Sequence, residues 1–345
     1  MPGKSKANKS ILRRAPAIIL LALLLCTVLT SCFSTSDGQS VNIFDLLIVK
    51  PFAFILKTIY QLVNSYGLAI IIFTILTKII LLPLTIKSKK GMQDMQRIQP
   101  KLLELEQKYK KNNPQKYQEE MTKLYQKEGV SPMGGCLPTL ISLPIMMGLY
   151  WPICQPLKHL MNLTQAQISE IASRLGFETV AGAGGAATYA SEITIAQAIY
   201  ENFDKVKDIS ENIIQMNFNF LGMNLGEVPS FTTFNLLFLL PLISGATSFL
   251  LTKLNQWLQL RSTGVAPQQN NAMMTLMGPI MSIWIGYSLP VGLTLYWITG
   301  NLVSMVQEVA LTYYFDKKKA KEDALKALEE EKNPTKKTSK GAKKK

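Results

Sequence analysis

Charge and histidine are scarce in this sequence, and each shortage excludes a class of protein. Only 17% of its 345 residues are charged, against about 25% in an ordinary soluble domain. The single histidine, His159, excludes mechanisms that need a histidine pair or a histidine-rich metal site. Four cysteines are too few for a disulfide scaffold. The high hydrophobic content, 48%, excludes a disordered chain.

The charges that are present are strongly unbalanced. The chain carries 37 Lys+Arg against 23 Asp+Glu, a net charge of +14. Few charges with a large imbalance mean long apolar stretches separated by short basic segments. This composition indicates either a membrane protein or a nucleic-acid binder, and the position of the charges decides between the two classes.

The N-terminus has the pattern of a secretory signal. Five basic residues precede an apolar run over residues 15–29, and the run ends in Leu-Thr-Ser-Cys. A cysteine in this position resembles a bacterial lipobox. The resemblance makes residues 1–31 a lipoprotein signal peptide and Cys32 the lipidated first residue of a mature chain that starts outside the cell. The alternative is an uncleaved first membrane helix.

Residues 43–64 are apolar apart from one polar face. Lys50, Lys57, Gln61 and Asn64 recur at spacings of 7, 4 and 3 residues, which places them on one side of a helix. The pattern predicts an amphipathic helix on the outer membrane surface, within a lipidated N-terminal segment 32–66. The alternative is a true membrane span.

The rest of the chain alternates between apolar and polar segments, which predicts an all-α polytopic membrane protein. Five segments are long enough to cross the hydrocarbon core. The predicted spans are 67–86, 132–157, 232–252, 272–289 and 291–313. The connecting segments are a helical hairpin over 87–131 with a break at Asn112-Asn113-Pro114, a polar loop 158–231, a short loop 253–271 and a basic tail 314–345.

The basic residues predict the orientation of these spans. Segments 87–131, 253–271 and 314–345 carry 11, 2 and 12 Lys+Arg, whereas loop 158–231 carries 4. The positive-inside rule therefore assigns the first three segments to the cytoplasm and the loop to the outside, in agreement with the lipobox. We expect a bacterial cell-membrane protein with a lipid-anchored N-terminus outside and its C-terminus in the cytoplasm.

Lys78 is the one charged residue in the first predicted span. It lies 11 residues after Gly67 and 9 before Lys87, about 16 Å and about 13 Å from the two ends of the helix. A lysine at such a depth costs roughly 2.5–3.5 kcal/mol. The nearest acid is Glu308, at the inner end of the fifth span, and the other spans contain none. We therefore expect Lys78 to face a water-filled cavity that attracts acidic groups; the alternative is a snorkelling lysine without a role.

Other polar side chains are candidates for the lining of the same cavity. Thr74 and Lys78 are four residues apart and share a helix face. Thr77 lies beside them, Ser142 lies in the second span and Asn301 in the fifth. We expect no catalytic residue, no metal and no cofactor.

Four segments resemble the YidC family of membrane protein insertases. They are IIIFTILTKIILLPLTIKSKK (70–90), MQRIQPKL (95–102), GVSPMGGCLPTLISLPIMMGLY (129–150) and LPVGLTLYWITGNLVSMVQE (289–308). The lipobox and the five spans resemble the Gram-positive form of the family, which lacks a large periplasmic domain.

The resemblance implies a fold and a site. Five transmembrane helices are expected around a hydrophilic groove that opens to the cytoplasm and to lipid, with a cytoplasmic helical hairpin and an outer amphipathic helix. The family's groove usually holds an arginine where this chain has Lys78, which keeps the charge but lacks the bidentate guanidinium. The family's substrate-contacting aromatic pair matches Tyr296 and Trp297, its hairpin matches 91–128 and its basic tail matches 315–345.

The resemblance also implies a mechanism and partners. Lys78 is expected to draw the acidic outer segment of a nascent membrane protein into the groove, after which the hydrophobic segment slides into the bilayer. The chain is expected to be a monomer and not an enzyme, with the Sec translocon and, through the tail, the ribosome as further partners. For the tail, the alternative is ordinary topology with attraction to anionic lipid. The alternative functions are a small-solute transporter or channel, and a passive membrane tether for ribosomes.

Overall fold

The computed structural model describes residues 44–130, 137–177, 186–230, 235–263 and 272–332, which are mostly helical. The predicted signal peptide 1–31 and Cys32 lie outside the described residues. The helices are α1 (Asp45–Val63, with a π-helical first turn), α2 (Tyr66–Ile80), α3 (Leu82–Tyr109), α4 (Pro114–Glu128), α5 (Leu137–Cys154), α6 (Pro156–His159), α7 (Gln165–Arg174), α8 (Ala186–Glu201), α9 (Leu236–Thr263), α10 (Ala272–Ser288) and α11 (Val291–Lys332). Two short antiparallel strands, β1 (Asn219–Phe220) and β2 (Met223–Asn224), form a hairpin.

Within the described residues, two helices are long and apolar enough to cross a membrane. They are α1 and the Leu236–Ser262 part of α9, and the bent pair of α2 and α3 makes a third if it is counted as one span. The length of α1 keeps open the alternative that this helix spans the membrane instead of lying on its surface. The chain is thus a helical membrane protein, and its count of five spans stays a prediction.

The first predicted span, 67–86, is interrupted in the structure. Helix α2 ends at Ile80 and α3 begins at Leu82, with a bend of 58° between them. Pro83 is the cause, because it has no N–H to continue the helical ladder and its ring clashes with the carbonyl four residues earlier. The hydropathy of the sequence does not indicate this break, because the residues on both sides of Leu81 are equally hydrophobic.

The fold divides into two compact units. The first contains the described residues up to Phe73, then Thr139–Pro229 and Pro290–Leu293. The second contains Thr74–Pro138, Ser230–Leu289 and the described residues from Thr294 onwards. Helices α2, α5 and α11 each contribute residues to both units.

The core of the first unit is built around aromatic rings. Tyr66 is completely buried, and its ring packs at 4.9 Å from that of Phe218 and at 6.4 Å from that of Tyr60 (centroid distances). Gly67 lies against Phe220 of β1 so closely that a Cβ atom there would fall 2.2 Å from the ring. The absence of a side chain at Gly67 therefore lets the β-hairpin pack on the start of α2.

Hydrogen bonds hold this β-hairpin segment at two further points of the first unit. The Tyr60 hydroxyl donates to the Gln215 carbonyl at 2.7 Å and accepts from the Asn217 N–H at 2.9 Å. The N–H groups of Val291 and Gly292, at the start of α11, donate to the carbonyls of Glu227 and Leu225. These donors have no partner within their own helix, so the hairpin segment caps α11.

Glu192 of α8 is a buried acid in the first unit. Its Oε2 accepts the Lys158 N–H of α6 at 3.3 Å, and 7% of the residue is exposed. Burial raises the pKa of the Glu192 carboxyl to about 7. Nearby, burial lowers the pKa of His159 to about 4, and its Nδ1 lies 3.5 Å from the Asp45 carboxylate.

The raised pKa of Glu192 predicts a contribution to stability that falls as the pH rises from about 4.5 to about 7. The folded protein holds this proton more tightly than the unfolded chain, whose carboxyl has an ordinary pKa of 4.5. The contribution is complete below about pH 4.5 and is lost as the pH rises through 7. The unfolding temperature in detergent should therefore change less favourably with rising pH in the wild-type protein than in Glu192→Gln, which cannot titrate at this position. His159 adds the opposite slope to both proteins, because its lowered pKa favours the folded protein as the pH rises. Equal slopes in the two proteins would contradict the assignment.

The second unit contains the helical hairpin of α3 and α4. Asn113 caps α4, because its Oδ1 accepts the Lys116 N–H at 3.0 Å, and Pro114 is the first helical residue. Lys101 of α3 donates to the Glu128 carboxylate at 2.5 Å. The assignment of this hairpin to the cytoplasm stays a prediction.

Helices α9 and α10 pack tightly in the second unit because glycines lie at their contacts. A Cβ at Gly245 would lie 2.4 Å from Ile283, and one at Gly286 would lie 2.9 Å from Pro241. The hydroxyls of Ser244 and Ser282 are hydrogen-bonded at 2.5 Å. Small and hydroxyl residues at helix contacts are typical of packing inside a bilayer.

Candidate functional site

Lys78 lies in the last turn of α2, directly before the bend. The carbonyl groups at a helix C-terminus carry a partial negative charge, which stabilises a cation there by about 0.3–1 kcal/mol. The bend therefore changes the expected setting of Lys78. It was predicted in the middle of an unbroken helix and lies instead two residues before a helix end.

The ammonium group of Lys78 is held by a neutral partner in the second unit. Its Nζ donates to the Ser304 hydroxyl of α11 at 2.7 Å. Lys78 is absent from the ion pairs that the described residues form. The Ser304 hydroxyl carries no formal charge, so it does not neutralise the ammonium group of Lys78 as a carboxylate would.

The main chain of Lys78 is bound by the same helix. The Gln307 side chain of α11 donates from Nε2 to the Lys78 carbonyl at 3.1 Å. This carbonyl belongs to the last turn of α2, where the intrahelical donors run out. Gln307 therefore caps α2 at the bend and fixes the position of Lys78.

Gly300 of α11 lies at this contact with α2, at distances that would also accommodate an alanine. Gly300 lies beside Lys78 and Thr74: a Cβ atom there would be 3.8 Å from Lys78 Cε and 4.0 Å from Thr74 Cγ2. Thr74 is fully buried, and Thr77 is 8% exposed and donates to the Thr74 carbonyl at 2.9 Å. The structure thus brings Thr74 and Lys78 together against α11, while the hydroxyl of Thr77 bonds within its own helix.

The remaining predicted site residues have different surroundings. Asn301 donates to the hydroxyls of Thr247 and Ser248 on α9, at 3.1 Å and 2.9 Å. Tyr296 is buried one helical turn before Gly300, on the same face of α11, and the neighbouring Trp297 is half-buried. The side chain of Ser142, the seventh predicted residue, lies outside the described residues.

A second lysine contacts the same face of α11. Lys89 of α3 forms an ion pair with Glu308, and the side chains are 9% and 17% exposed. Glu308 lies one helical turn after Ser304. The acid nearest to the predicted cavity is thus already neutralised by Lys89.

Sequence reasoning did not identify Ser304, Gln307 or Lys89 as site residues. The spacing of Asn301, Ser304 and Glu308, three and then four residues apart, was a signal for a polar stripe on one side of α11. It did not reveal which helix the stripe contacts. The described residues contain no group of three or more His, Cys, Asp or Glu side chains that could hold a metal ion.

The comparisons with known proteins identify the family of this chain. Residues 58–319 match the family described as 60Kd inner membrane protein, a range that includes Lys78 and the stripe on α11. The chain belongs to the 60Kd inner membrane protein family. Members of this family with similar sequences carry the name "Membrane protein insertase YidC".

Three of these relatives match most of the chain. The protein of Fusobacterium nucleatum is 32% identical over 279 residues, which cover 81% of this chain and 98% of the relative. The protein of Clostridium perfringens is 30% identical over 284 residues, covering 81% and 93%. The protein of Bacillus anthracis, "Membrane protein insertase YidC 1", is 28% identical over 303 residues, covering 85% and 92%.

A solved structure also matches this member of the family. It is described as "Active YidC insertase crystal structure with the first transmembrane domain resolved". The match has a TM-score of 0.46 and 22% sequence identity, and it covers 83% of this chain and 50% of that chain.

Proposed function

We propose that this protein is a membrane protein insertase, which releases the hydrophobic helices of nascent membrane proteins into the lipid bilayer. Membership of the 60Kd inner membrane protein family and the names of the relatives support this class of function. The observation that carries the mechanism is the hydrogen bond from Lys78 to the neutral Ser304. A cation with an uncharged partner can exchange that partner for the carboxylate of a substrate.

In the proposed mechanism, the acidic outer segment of a substrate binds first. A hydrogen bond between Lys78 and a substrate carboxylate joins two opposite charges, which makes it stronger than the bond to the uncharged Ser304 hydroxyl that it replaces. The acidic segment then stays bound part-way across the membrane while the hydrophobic helix of the substrate moves into lipid. Each buried CH₂ group contributes about 0.8 kcal/mol, so burial in lipid drives the step. Thr74, Thr77, Ser142, Tyr296, Trp297 and Asn301 are proposed to line the path.

Reconstitution tests the function directly. The purified chain is placed in liposomes, and a substrate with one hydrophobic helix and a short outer segment containing aspartate is synthesised in their presence. We expect the outer segment to become protected from added protease only in liposomes that contain the protein. Equal protection in protein-free liposomes would contradict the proposal.

A transporter or channel is the alternative function from another class. Proton or cation transport uses carboxylates within the membrane. In the predicted spans the one candidate is Glu308, and Lys89 neutralises it. A passive tether for ribosomes is the other alternative, and it gives Lys78 no role. The half-buried, hydrogen-bonded setting of Lys78 therefore favours an insertase over both alternatives.

We also propose the topology and partners that follow from the sequence. The five spans, the lipid anchor at Cys32, the outer N-terminus and the cytoplasmic C-terminus form one consistent arrangement. Nascent membrane proteins are the substrates and the bilayer is their destination, and the Sec translocon and the ribosome are further partners.

The tail supplies a prediction for the ribosome. Removing the residues after Tyr314 deletes 12 Lys+Arg. If these lysines neutralise rRNA phosphates, wild-type protein should cosediment with ribosomes at 50 mM salt, much less at 200 mM salt, and the truncated protein at neither. Equal cosedimentation of the truncated and wild-type proteins would show that the tail serves only topology and lipid attraction.

A further inference from the structure

Two lysines and one carboxylate share a single face of α11. Ser304 accepts from Lys78, and Glu308, one turn further along, pairs with Lys89. Gln307 lies between them and binds the Lys78 carbonyl. Residues one turn apart on a helix have Cβ atoms about 5–6 Å apart, so the two ammonium groups belong to one electrostatic cluster.

The charges of this cluster do not balance. Lys78 and Lys89 contribute two positive charges and Glu308 contributes one negative charge, which leaves the cluster at +1. The Lys89–Glu308 pair is the more buried part, with side-chain exposures of 9% and 17%. A buried pair recovers its desolvation cost only through close charge–charge contact, so another carboxylate can replace Glu308 with little net change in free energy.

We infer that Lys89 is a second carboxylate-binding residue for acidic substrate segments, and that Glu308 occupies it until a substrate arrives. This inference rests on the proposed function and adds a specificity determinant to it. A substrate carboxylate displaces Glu308 from Lys89 and then reaches Lys78, one helical turn of α11 away. Glu308 neutralises Lys89 in the resting protein, which disfavours the binding of non-specific anions.

The inference predicts opposite effects for the two members of the pair. Lys89→Gln leaves Glu308 as an unpaired negative charge that repels acidic segments. Glu308→Gln leaves Lys89 without its competitor, so acidic segments bind more readily. A pair that serves only the stability of the fold predicts a loss in both variants and no preference for any substrate charge.

The experiment measures a ratio for each variant, so that differences between variants in the amount of folded protein cancel. Each variant is reconstituted in liposomes and tested with two substrates that differ only in aspartate or asparagine residues in the outer segment. The ratio is insertion of the aspartate substrate divided by insertion of the asparagine substrate. Lys110→Gln is the matched control, because Lys110 forms an exposed ion pair with Glu106 on the hairpin, away from α11.

We expect Lys89→Gln to lower the ratio about fivefold and Glu308→Gln to raise it, while Lys110→Gln leaves it unchanged. The exchanged pair, Lys89→Glu with Glu308→Lys, keeps one cation and one anion in the cluster and should restore the wild-type ratio. The neutral pair, Lys89→Gln with Glu308→Gln, should give a ratio below that of the exchanged pair. If the single variants fail to fold, the comparison of the exchanged pair with the neutral pair tests the inference.

Wild-type ratios in both single variants, or equal ratios in the exchanged and neutral pairs, would overturn the inference and leave the proposed function intact. Failure of the proposed function has a different signature. In that case the wild-type protein would insert neither substrate better than protein-free liposomes do.

Discussion

Lys78→Ala is expected to reduce insertion of substrates with acidic outer segments by about tenfold or more. A hydrogen bond between charged groups contributes about 1.5–3 kcal/mol, which corresponds to roughly 10-fold to 100-fold in an equilibrium. In the structure the charged donor is the Lys78 ammonium group, which is hydrogen-bonded to the uncharged Ser304 hydroxyl. The measurement is protease protection of the outer segment in liposomes that contain equal amounts of folded protein.

Two controls distinguish charge from shape at this position. Lys78→Arg keeps the positive charge and should retain most of the activity, whereas Lys78→Met keeps the length and apolar stem and should be as defective as Lys78→Ala. A substrate with asparagine in place of aspartate should be nearly insensitive to all three changes. Normal insertion of the acidic substrate by Lys78→Met would contradict the proposed electrostatic role of Lys78.

Gly67→Ala is expected to destabilise the first unit by about 1–3 kcal/mol, because it overfills a closed contact. The new Cβ would lie 2.2 Å from Cγ of the Phe220 ring, so the ring and the β-hairpin have to move. Since this hairpin segment also caps the start of α11, the effect should extend beyond the local contact. Thermal unfolding in detergent should show a decrease of about 3–8 °C.

The matched control for this prediction is another helical glycine. At Gly278 of α10 a Cβ would meet no atom of the described residues within 4 Å, so Gly278→Ala should leave stability unchanged or raise it by up to about 1 kcal/mol through helix propensity. Adding Phe220→Ala to Gly67→Ala should remove the clash and leave only the cost of the lost ring. A Gly67→Ala protein as stable as Gly278→Ala would contradict the close packing of the β-hairpin on α2.

Local signals in the sequence predict some parts of this fold well. Asn113 and Pro114 indicate the turn of the helical hairpin because one caps a helix and the other begins it. The bend after Ile80 was harder to predict, although Pro83 is plain in the sequence. Membrane helices tolerate proline, so an apolar run that contains one gives no measure of how far the helix turns.

The same limit applies to the site: a residue that stands out in its local sequence could be predicted, and its partners far away in the sequence could not. Lys78 was predictable because a charge in an apolar run is costly wherever the run packs. Its partners Ser304 and Gln307 were not, because they lie more than 220 residues away and the contact depends on which face of α11 meets α2. Asn301 stays a predicted lining residue of the same cavity, and its hydrogen bonds to Thr247 and Ser248 on α9 could not be predicted for the same reason.

Site-specific crosslinking of a stalled nascent chain tests the central claim most directly. A photoreactive amino acid is placed in turn at Tyr296 and Ser304, one helical turn before and one turn after Gly300, and at the exposed Val306, on the opposite side of α11 from Ser304. We expect a stalled chain with an acidic outer segment to crosslink to positions 296 and 304 much more than to 306, and Lys78→Met to abolish the difference. Equal crosslinking at all three positions, unaffected by Lys78→Met, would contradict the claim that Lys78 receives the substrate.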